Sequence, residues 1–240
     1  MVVAGAGGAI GSVLALHYAK RGFPVLGLDR RLDRFEAETL PDGLVLRLTD
    51  LCAEGEIQAG LDEALGADGQ IHLLINAVGQ IWNEPIISLQ ANKLVVHRID
   101  TWRRVAEANL IAPFIVATLA AARMVRTGGG SIINFSSVAS RGNAGQVAYG
   151  AAKAGIEGLT RAMAVELGPL GVRVNAVSLG FVDVESTRAA LSANHLREYA
   201  QKTPLRRLGG VADVISAVEF LERNEFVNRE ILNIDGGLRL

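Results

Sequence analysis

The sequence predicts an α/β fold, a doubly wound parallel sheet of seven strands with helices on both faces. Short runs of β-branched and aliphatic residues alternate with longer helical stretches along the 240 residues, and half of all residues are apolar. This alternation is typical of parallel strands joined by crossover helices. Glycines mark the joints between the runs, and the sequence contains no internal repeat or linker. One domain spanning residues 1–240 is therefore expected.

The strand candidates are short runs rich in valine, isoleucine and leucine. They are Met1–Ala4, Val25–Leu28, Leu44–Leu48, Ile71–Ile75, Ser131–Phe135, Arg173–Val177 and Ile231–Ile234. Helices are predicted between them, near Ile10–Arg21, Glu54–Leu65, Thr101–Arg126, Ala148–Leu167, Ser186–Gln201 and Val211–Arg223. Because a helical stretch separates most consecutive strands, the strands are expected to run parallel.

The overall composition argues against several classes of partner. The formal net charge is −1 and no basic cluster is present, so neither nucleic acid nor an anionic membrane is expected as a partner. The longest apolar stretch, Leu110–Ala122, is too short to span a bilayer and is predicted to be a buried helix. Cys52 is the single cysteine, and the N-terminus lacks the features of a secretory signal, which favours a cytoplasmic location. The four histidines do not stand at ligand spacing, so no metal is expected.

The first strand candidate leads directly into a glycine-rich turn. The segment VVAGAGGAIG places glycines at Gly5, Gly7, Gly8 and Gly11 before a helical stretch. Side chains are excluded where backbone must approach a pyrophosphate and helix amides must face it. A purely structural turn can have the same composition, but Asp29 closes the second strand, where its carboxylate can accept hydrogen bonds from ribose hydroxyls. The combination predicts a dinucleotide site.

A tyrosine stands four residues before a lysine in the segment SSVASRGNAGQVAYGAAK. Residues i and i+4 share a helix face, so Tyr149 and Lys153 can reach one site. A nearby ammonium stabilises a phenolate, and lowering the tyrosine pKa to about 7 needs roughly 4 kcal/mol. Ser137, at the end of the preceding strand, could hold a substrate oxygen against the tyrosine. From these residues alone, a packed tyrosine beside a solvated lysine is an equally good interpretation.

Further motifs follow in a fixed order along the chain. AGAGGAIG is a glycine loop, LTDL carries Asp50, LINAVG is a strand end, and EANL carries Asn109. NFSSVAS and YGAAK supply Ser137, Tyr149 and Lys153, and they are followed by GVRVNAVSLGFVDV, PLRRLG and LNIDGG. With this whole series, the chain resembles the short-chain dehydrogenase/reductase family over essentially all of its length.

The resemblance implies a Rossmann-type fold and an NAD(P)-dependent oxidoreductase that interconverts a carbonyl and a secondary alcohol. Tyr149 would exchange a proton with the substrate oxygen, and Lys153 would bind the nicotinamide ribose and lower the tyrosine pKa. Ser137 would orient the substrate, and Asn109 would hold a water that relays protons from Lys153. The implied cofactor contacts are Gly5, Gly8, Ile10, Asp29, Arg30, Asp50, Leu51, Asn76, Ala77, Gly79, Tyr149, Lys153, Val182 and Val184.

NAD is expected rather than NADP. Asp29 would face a 2′-phosphate with a like charge, and Gly8 stands where NADP-preferring relatives often have a basic residue. Arg30 and Arg31 are the opposing feature, since they could bind a phosphate. The chain also departs from the family pattern at Val184, where a threonine usually hydrogen-bonds the carboxamide; that loss is worth about 0.5–1.5 kcal/mol, and backbone near residue 182 can still hold the amide.

Two other functions are compatible with the sequence. A non-catalytic dinucleotide-binding sensor or scaffold could use the same fold, although such a protein has no need of both Tyr149 and Lys153. A 3-oxoacyl-[acyl-carrier-protein] reductase is the alternative subclass, but Leu170 stands where carrier-dependent relatives tend to have a basic residue. A free small-molecule carbonyl or alcohol is therefore the favoured substrate.

Two regions are predicted to make intermolecular contacts. The segment Gln80–Arg98 is longer than usual for the family, and it either shapes a substrate entrance or packs on a neighbouring subunit. The predicted helices Thr101–Arg126 and Ala148–Leu167 are apolar around much of their circumference, so one sheet face does not cover them. The family uses these two helices for subunit contacts, and a homotetramer is predicted.

Overall fold

The computed structural model describes residues 1–36, 39–66 and 68–240. The strands are β1 (Val2–Ala4), β2 (Val25–Asp29), β3 (Leu44–Leu48), β4 (Leu73–Asn76), β5 (Ile87–Gln90), β6 (Lys93–Val96), β7 (Gly130–Ser137), β8 (Val172–Leu179) and β9 (Ile231–Ile234). The α-helices are α1 (Ala9–Lys20), α2 (Glu54–Leu65), α3 (Ile99–Ala106), α4 (Ala112–Arg126), α5 (Val147–Leu167), α6 (Glu185–Ala190), α7 (Ala193–Lys202) and α8 (Val211–Arg223).

Seven strands form one parallel sheet in the order β3-β2-β1-β4-β7-β8-β9. The predicted doubly wound sheet is therefore confirmed, and each of the seven predicted strands is present with small shifts at its ends. The chain winds outward in one direction from β1 to β3 and in the other from β4 to β9. The switch point lies between β1 and β4, where an open α/β sheet offers a crevice to ligands at the carboxyl ends of its strands.

The two faces of the sheet bury separate apolar clusters. Val3 belongs to one cluster, whereas its neighbours Val2 and Ala4 belong to the other, as the period of two in a strand requires. Helices α1 and α8 cover the first face, and α2, α4 and α5 cover the second. Because helices bury both faces, the strands show nearly continuous apolar runs.

The long helical run before β7 begins earlier than predicted and is not a regular α-helix. It extends over 28 residues, Ile99–Arg126, and by length and composition alone it could cross a membrane. A core helix of a soluble protein passes the same test, and the small residues of α4 pack in the core against β4 and β7. Between α3 and α4 the residues Glu107–Ile111 form a π-helical turn, a feature that often marks functional sites.

Two sequence predictions are corrected by the structure. The predicted helix Ser186–Gln201 is two helices, because the extended backbone of Leu191 ends α6 and the Ser192 hydroxyl caps α7 by accepting a hydrogen bond from His195 N. The segment Gln80–Arg98, predicted without strands, contains the antiparallel hairpin β5–β6. Its two-residue turn uses left-handed backbone at Ala91 and Asn92, and alanine at such a position is an unusual hairpin signal.

Candidate active site

The turn between β1 and α1 is built from backbone packed too closely for side chains. A Cβ on Gly5, whose φ is +79°, would lie 2.7 Å from the carbonyl oxygen of Ala77. A Cβ on Gly7 would overlap the carbonyl oxygen of Arg31, and one on Gly11 would overlap that of Gly5. Among the described residues no side chain caps the first turn of α1, so the backbone N–H groups of that turn can donate to an anion. These residues fit the phosphate groups of a dinucleotide.

Asp29 ends β2 beside this turn. Its Oδ2 accepts a hydrogen bond from Gly7 N at 2.9 Å, and its Oδ1 accepts one from Arg31 N at 3.1 Å. Two backbone donors therefore fix the carboxylate at the edge of the glycine loop, while each oxygen keeps further acceptor capacity. Asp29 therefore lies beside the glycine loop, and its role toward a ribose stays a prediction.

Lys153 is buried on α5 and reaches the carboxyl end of the sheet. Its Nζ donates to the carbonyl oxygen of Phe135 at 3.0 Å and to that of Val78 at 3.4 Å. An ammonium has three donors, so one remains for a ligand hydroxyl. Burial lowers the pKa of Lys153 to about 8, because desolvation penalises the charged form.

Gly79 lies against the side chains of both Lys153 and Asn109 and leaves room for them. A Cβ on Gly79 would lie 2.6 Å from Asn109 Oδ1 and 2.8 Å from Lys153 Nζ. Asn109 lies in the π-helical turn and is fully buried. Its Nδ2 donates to the carbonyl oxygens of Gln80 and Val105, and its Oδ1 accepts from Gln80 N. This asparagine thus fixes the start of the segment Gln80–Arg98 while lying beside the lysine.

Tyr149 lies on the first turn of α5, next to the end of β7. The Ser137 hydroxyl lies near its hydroxyl and lowers its pKa, and Lys153 Nζ lies 5.8 Å from the centroid of its ring. Burial raises the pKa of Tyr149 to about 12, while the neighbouring Ser137 hydroxyl acts in the opposite direction. Desolvation outweighs the effect of Ser137, so the phenol is neutral at physiological pH. This direction is opposite to the lowered pKa that the resemblance implies.

The other predicted cofactor contacts lie along the same edge of the sheet or in the loops that leave it. Leu51, Val182 and Val184 are buried, Ile10 and Ala77 are half-buried, and Arg30 and Asp50 are exposed. Asn76 is different, because its Nδ2 donates to Pro113 O and to Asn134 Oδ1 inside the core. Its Nδ2 thus holds β4 to β7 and α4, while its buried Oδ1 has no hydrogen-bond partner among the described residues.

The sequence did not predict the hydrogen bonds by which two side-chain amides, those of Gln146 and Asn83, connect the start of α5 to α6. Gln146 Nε2, just before α5, donates to Asn83 Oδ1 at 2.7 Å, and Asn83 Nδ2 donates to Ala190 O at 3.3 Å. Asn83 therefore links the catalytic helix to α6. These partners lie 63 and 107 residues apart in sequence, so no local motif could reveal them.

Comparison with known proteins agrees with this geometry. The model of the family described as Enoyl-(Acyl carrier protein) reductase matches residues 5–239. The chain is 32% identical to the short-chain reductase protein NovJ of Streptomyces niveus, covering 98% of this chain and 92% of NovJ. It is 31% identical to the 3-oxoacyl-[acyl-carrier-protein] reductase FabG of Salmonella typhimurium, covering 99% and 96%. A short-chain dehydrogenase/reductase structure from Mycobacterium ulcerans superposes with a TM-score of 0.87 at 30% identity, covering 98% and 88%.

The fold, the glycine loop and these matches define a dinucleotide-dependent oxidoreductase. The chain belongs to the short-chain dehydrogenase/reductase family. It is an NAD(P)-dependent oxidoreductase that acts on carbonyl and alcohol groups.

Proposed function

We propose that the protein reduces a carbonyl, or oxidises the corresponding secondary alcohol, with Tyr149 as the group that exchanges a proton with the substrate oxygen. The observation that carries the proposal is the placement of Tyr149 next to both Ser137 and Lys153, at the carboxyl edge next to the glycine loop. A bound nicotinamide supplies the hydride donor or acceptor. A neutral phenol is the protonation state that an acid needs, so these residues favour carbonyl reduction at neutral pH.

Each neighbour of Tyr149 has a separate role in this proposal. Ser137 holds the substrate oxygen against the phenol, since its hydroxyl already reaches Tyr149. Lys153 binds the nicotinamide ribose with the donor that Phe135 and Val78 leave free, and its charge stabilises a phenolate as the proton leaves. Asn109, fixed by three hydrogen bonds to backbone, holds a water next to the ammonium. A sensor without catalysis has no need of both Tyr149 and Lys153.

We propose NAD as the preferred dinucleotide because of Asp29. Backbone donors from Gly7 and Arg31 orient its carboxylate, which can then accept both ribose hydroxyls. A 2′-phosphate would face a like charge; for unit charges 4 Å apart at an effective dielectric near 20 the repulsion is about 4 kcal/mol, an upper value because solvent screens this rim. Arg30, Asp50 and Leu51 border the same end, and the exposed Arg30 offers the opposing attraction.

Titrating NADH and NADPH against the purified protein tests this preference. NADH should bind more tightly to the unmodified protein, and Asp29→Ser should reduce the ratio of the two affinities by at least tenfold, about 1.4 kcal/mol. Asp42→Ser, an exposed aspartate before β3, should leave the ratio unchanged. Tighter NADPH binding by the unmodified protein refutes the preference, and an unchanged ratio in Asp29→Ser refutes its cause.

We propose a free small-molecule carbonyl or alcohol as the substrate. A 3-oxoacyl group on a carrier protein is the second candidate, and the match to FabG over nearly both full lengths favours it. Leu170, half-exposed after α5, offers no charge to an acidic carrier where the carrier-dependent relatives tend to have a basic residue. A cofactor-coupled absorbance screen of ketones and secondary alcohols, with an acyl-carrier substrate included, separates the two candidates.

We further propose that one domain carries this activity and that four copies assemble in the cytoplasm. Large apolar side chains on the π-helical turn, α4 and α5 are left uncovered by the sheet: Ile111 and Phe114 are each 48% exposed and Val165 is 58% exposed. Exposed side chains of this kind are typical of a subunit interface. Light scattering coupled to gel filtration measures the assembly, and a monomer at micromolar concentration would overturn it.

A further inference from the structure

Glu84 closes the base of the segment Gln80–Arg98. Its Oε1 accepts a hydrogen bond from Arg98 N at 2.9 Å, and its Oε2 accepts one from Trp82 Nε1 at 3.1 Å. Its own backbone N donates to Gly145 O at 2.7 Å, and its carbonyl oxygen lies 3.1 Å from His97 Nδ1. The donors from Arg98 and Trp82 lower the pKa of this carboxyl, so the group is ionised at neutral pH. The side chain of Glu84 thus joins the two ends of the segment, and its backbone N–H ties them to the loop before α5.

Trp82 is the part of this arrangement that lies at the catalytic helix. With Ile81 it packs against an apolar cluster formed by Val105, Ala139, Ala148 and Tyr149. The guanidinium of Arg104 lies 5.8 Å from the indole centroid, a cation–π contact. Two residues before Trp82, the backbone N–H and the carbonyl oxygen of Gln80 both hydrogen-bond the side chain of Asn109. The indole is therefore fixed by packing with Tyr149, by Arg104, and by its hydrogen bond with Glu84.

The chemistry of this wall restricts what can lie against it. Both carboxylate oxygens of Glu84 already accept hydrogen bonds, and the charge of Arg104 lies near the indole. The half-buried indole and the side chain of Ile81 form the apolar part of this wall, because both pack against the cluster that contains Tyr149. Offset or edge contacts between aromatic rings add about 0.5–1.5 kcal/mol to the burial of their area. A flat apolar group of a substrate therefore gains the most binding free energy from contact with this surface.

We propose that Trp82 is a specificity-determining residue for a substrate carrying a flat, uncharged aryl or cycloalkyl group near its carbonyl, and that Glu84 is the positioning residue that orients the indole. This inference rests on the proposed function, because it takes Tyr149 as the site of proton exchange. Glutamine at position 84 would keep one acceptor oxygen but turn an amide N–H₂ toward one of the two N–H donors. Aspartate keeps both acceptor oxygens on a shorter side chain.

A pair of ketones that share a reacting carbonyl tests the specificity role: 2-butanone, and 4-phenyl-2-butanone with the added ring. Glu84→Gln should raise KM for the phenyl ketone about fivefold, within the range of one aromatic contact. It should leave kcat for both ketones and KM for 2-butanone within about twofold. Trp82→Leu should show the same selective loss, and Glu84→Asp should restore part of it. Glu63→Gln, whose carboxylate pairs with Arg47 on the surface of α2, is the matched control.

Fluorescence provides a second readout that needs no turnover. The chain has two tryptophans, so a Trp102→Phe background isolates the emission of Trp82. In that background Glu84→Gln should shift the emission to longer wavelength and increase acrylamide quenching. Unchanged emission refutes the orienting role of Glu84, and equal changes in KM for the two ketones refute the specificity role of Trp82. If the unmodified protein turns over neither ketone nor any other carbonyl, the proposed function fails and the specificity role fails with it, whereas a shifted emission still supports the positioning by Glu84.

Discussion

The glycine loop and the segment Gln80–Arg98 both border the site, but they are determined by different parts of the chain. In the loop, backbone lies against backbone, and a single methyl group on Gly5 or Gly11 would overlap a carbonyl oxygen. In the segment, the conformation depends on side chains, above all on the hydrogen bonds of Glu84 and the packing of Trp82. The first region tolerates almost no substitution, whereas the second can change its surface without changing the sheet.

The hairpin of that segment shows the contrast most clearly. Strand pairing places Ile87 opposite Val96 and Leu89 opposite Leu94, so these four side chains share one face. They are 56–71% exposed, unlike the buried apolar residues of the central strands. Such a face is free to contact a substrate or another subunit, and the fold itself does not depend on it.

The largest effect is expected from Gly11→Ala. The added Cβ would overlap the carbonyl oxygen of Gly5, so the first turn of α1 must move away from the glycine loop. Dinucleotide binding should be lost, or the protein should fail to fold, because the amides that face the phosphates are displaced. Calorimetric titration with NADH and thermal unfolding measure the two outcomes.

Gly55→Ala on α2 is the matched control. A Cβ at Gly55 meets no atom of the described residues within 4 Å, and alanine is favoured over glycine in a helix by about 1 kcal/mol. This variant should bind NADH normally and be equally or more stable. Normal NADH affinity in Gly11→Ala would contradict the steric account of the loop.

Tyr149→Phe should have the next largest effect, at least about a hundredfold in kcat, the usual contribution of a positioned acid. Removing the hydroxyl leaves the ring in its cluster, so NADH affinity should change little. Tyr18→Phe is the control, since Tyr18 is also buried but its Oη has no hydrogen-bond partner in the described residues. Near-normal turnover of an identified substrate by Tyr149→Phe would remove this residue from the mechanism.

Lys153→Met tests the burial of the ammonium through the pH dependence of stability. The pKa of Lys153 is about 8 in the folded protein, against the ordinary value of 10.5 for a lysine side chain in water. Between these values the unfolded chain binds more protons, so the stability of the unmodified protein rises with pH. The variant lacks this gain, and its free energy of unfolding relative to the unmodified protein should fall by about 2 kcal/mol from pH 7 to pH 10. Urea unfolding measures it, with Lys20→Met at an exposed position as control; a difference that stays constant with pH would refute the inference.

The parallel sheet and the glycine loop could be predicted from sequence because local patterns determine them. The apolar runs predicted the parallel sheet, and the glycine spacing predicted the loop beside Asp29, as the contacts with Gly7 show. The family motifs identified Ser137, Tyr149 and Lys153, which the fold brings together. Their roles in catalysis stay predictions.

The remaining features depend on contacts between distant residues or on desolvation. The π-helical turn around Asn109 and the link from Gln146 through Asn83 to α6 have no local sequence signal. The pKa of Tyr149 was expected to fall because of Lys153, but burial raises it. A sequence pattern shows that a lysine is near, but it does not show how much water both groups lose.

Shortening the hairpin β5–β6 is expected to have the smallest effect of these changes. The hairpin is also where the segment Gln80–Arg98 differs most from the glycine loop. His97 N donates to Ile86 O at 2.9 Å, so residues 87–96 can be replaced by Asn-Gly without moving the ends of the segment or the hydrogen bonds of Glu84. The shortened protein should show an altered KM or substrate preference. Its segment begins at Gln80, which hydrogen-bonds Asn109, and it packs against the cluster that contains Tyr149. NADH affinity should stay within about threefold, or roughly 0.6 kcal/mol, since Asp29 and the glycine loop make no contact with the hairpin in the described residues. Steady-state kinetics on two ketones and an NADH titration of the same preparation measure both quantities, with the Ala91→Gly variant as a control that keeps the hairpin and its left-handed turn.

A folded, shortened protein that no longer binds NADH would show that the hairpin serves the cofactor, and unchanged kinetics on every substrate would assign its apolar face to contacts away from the site.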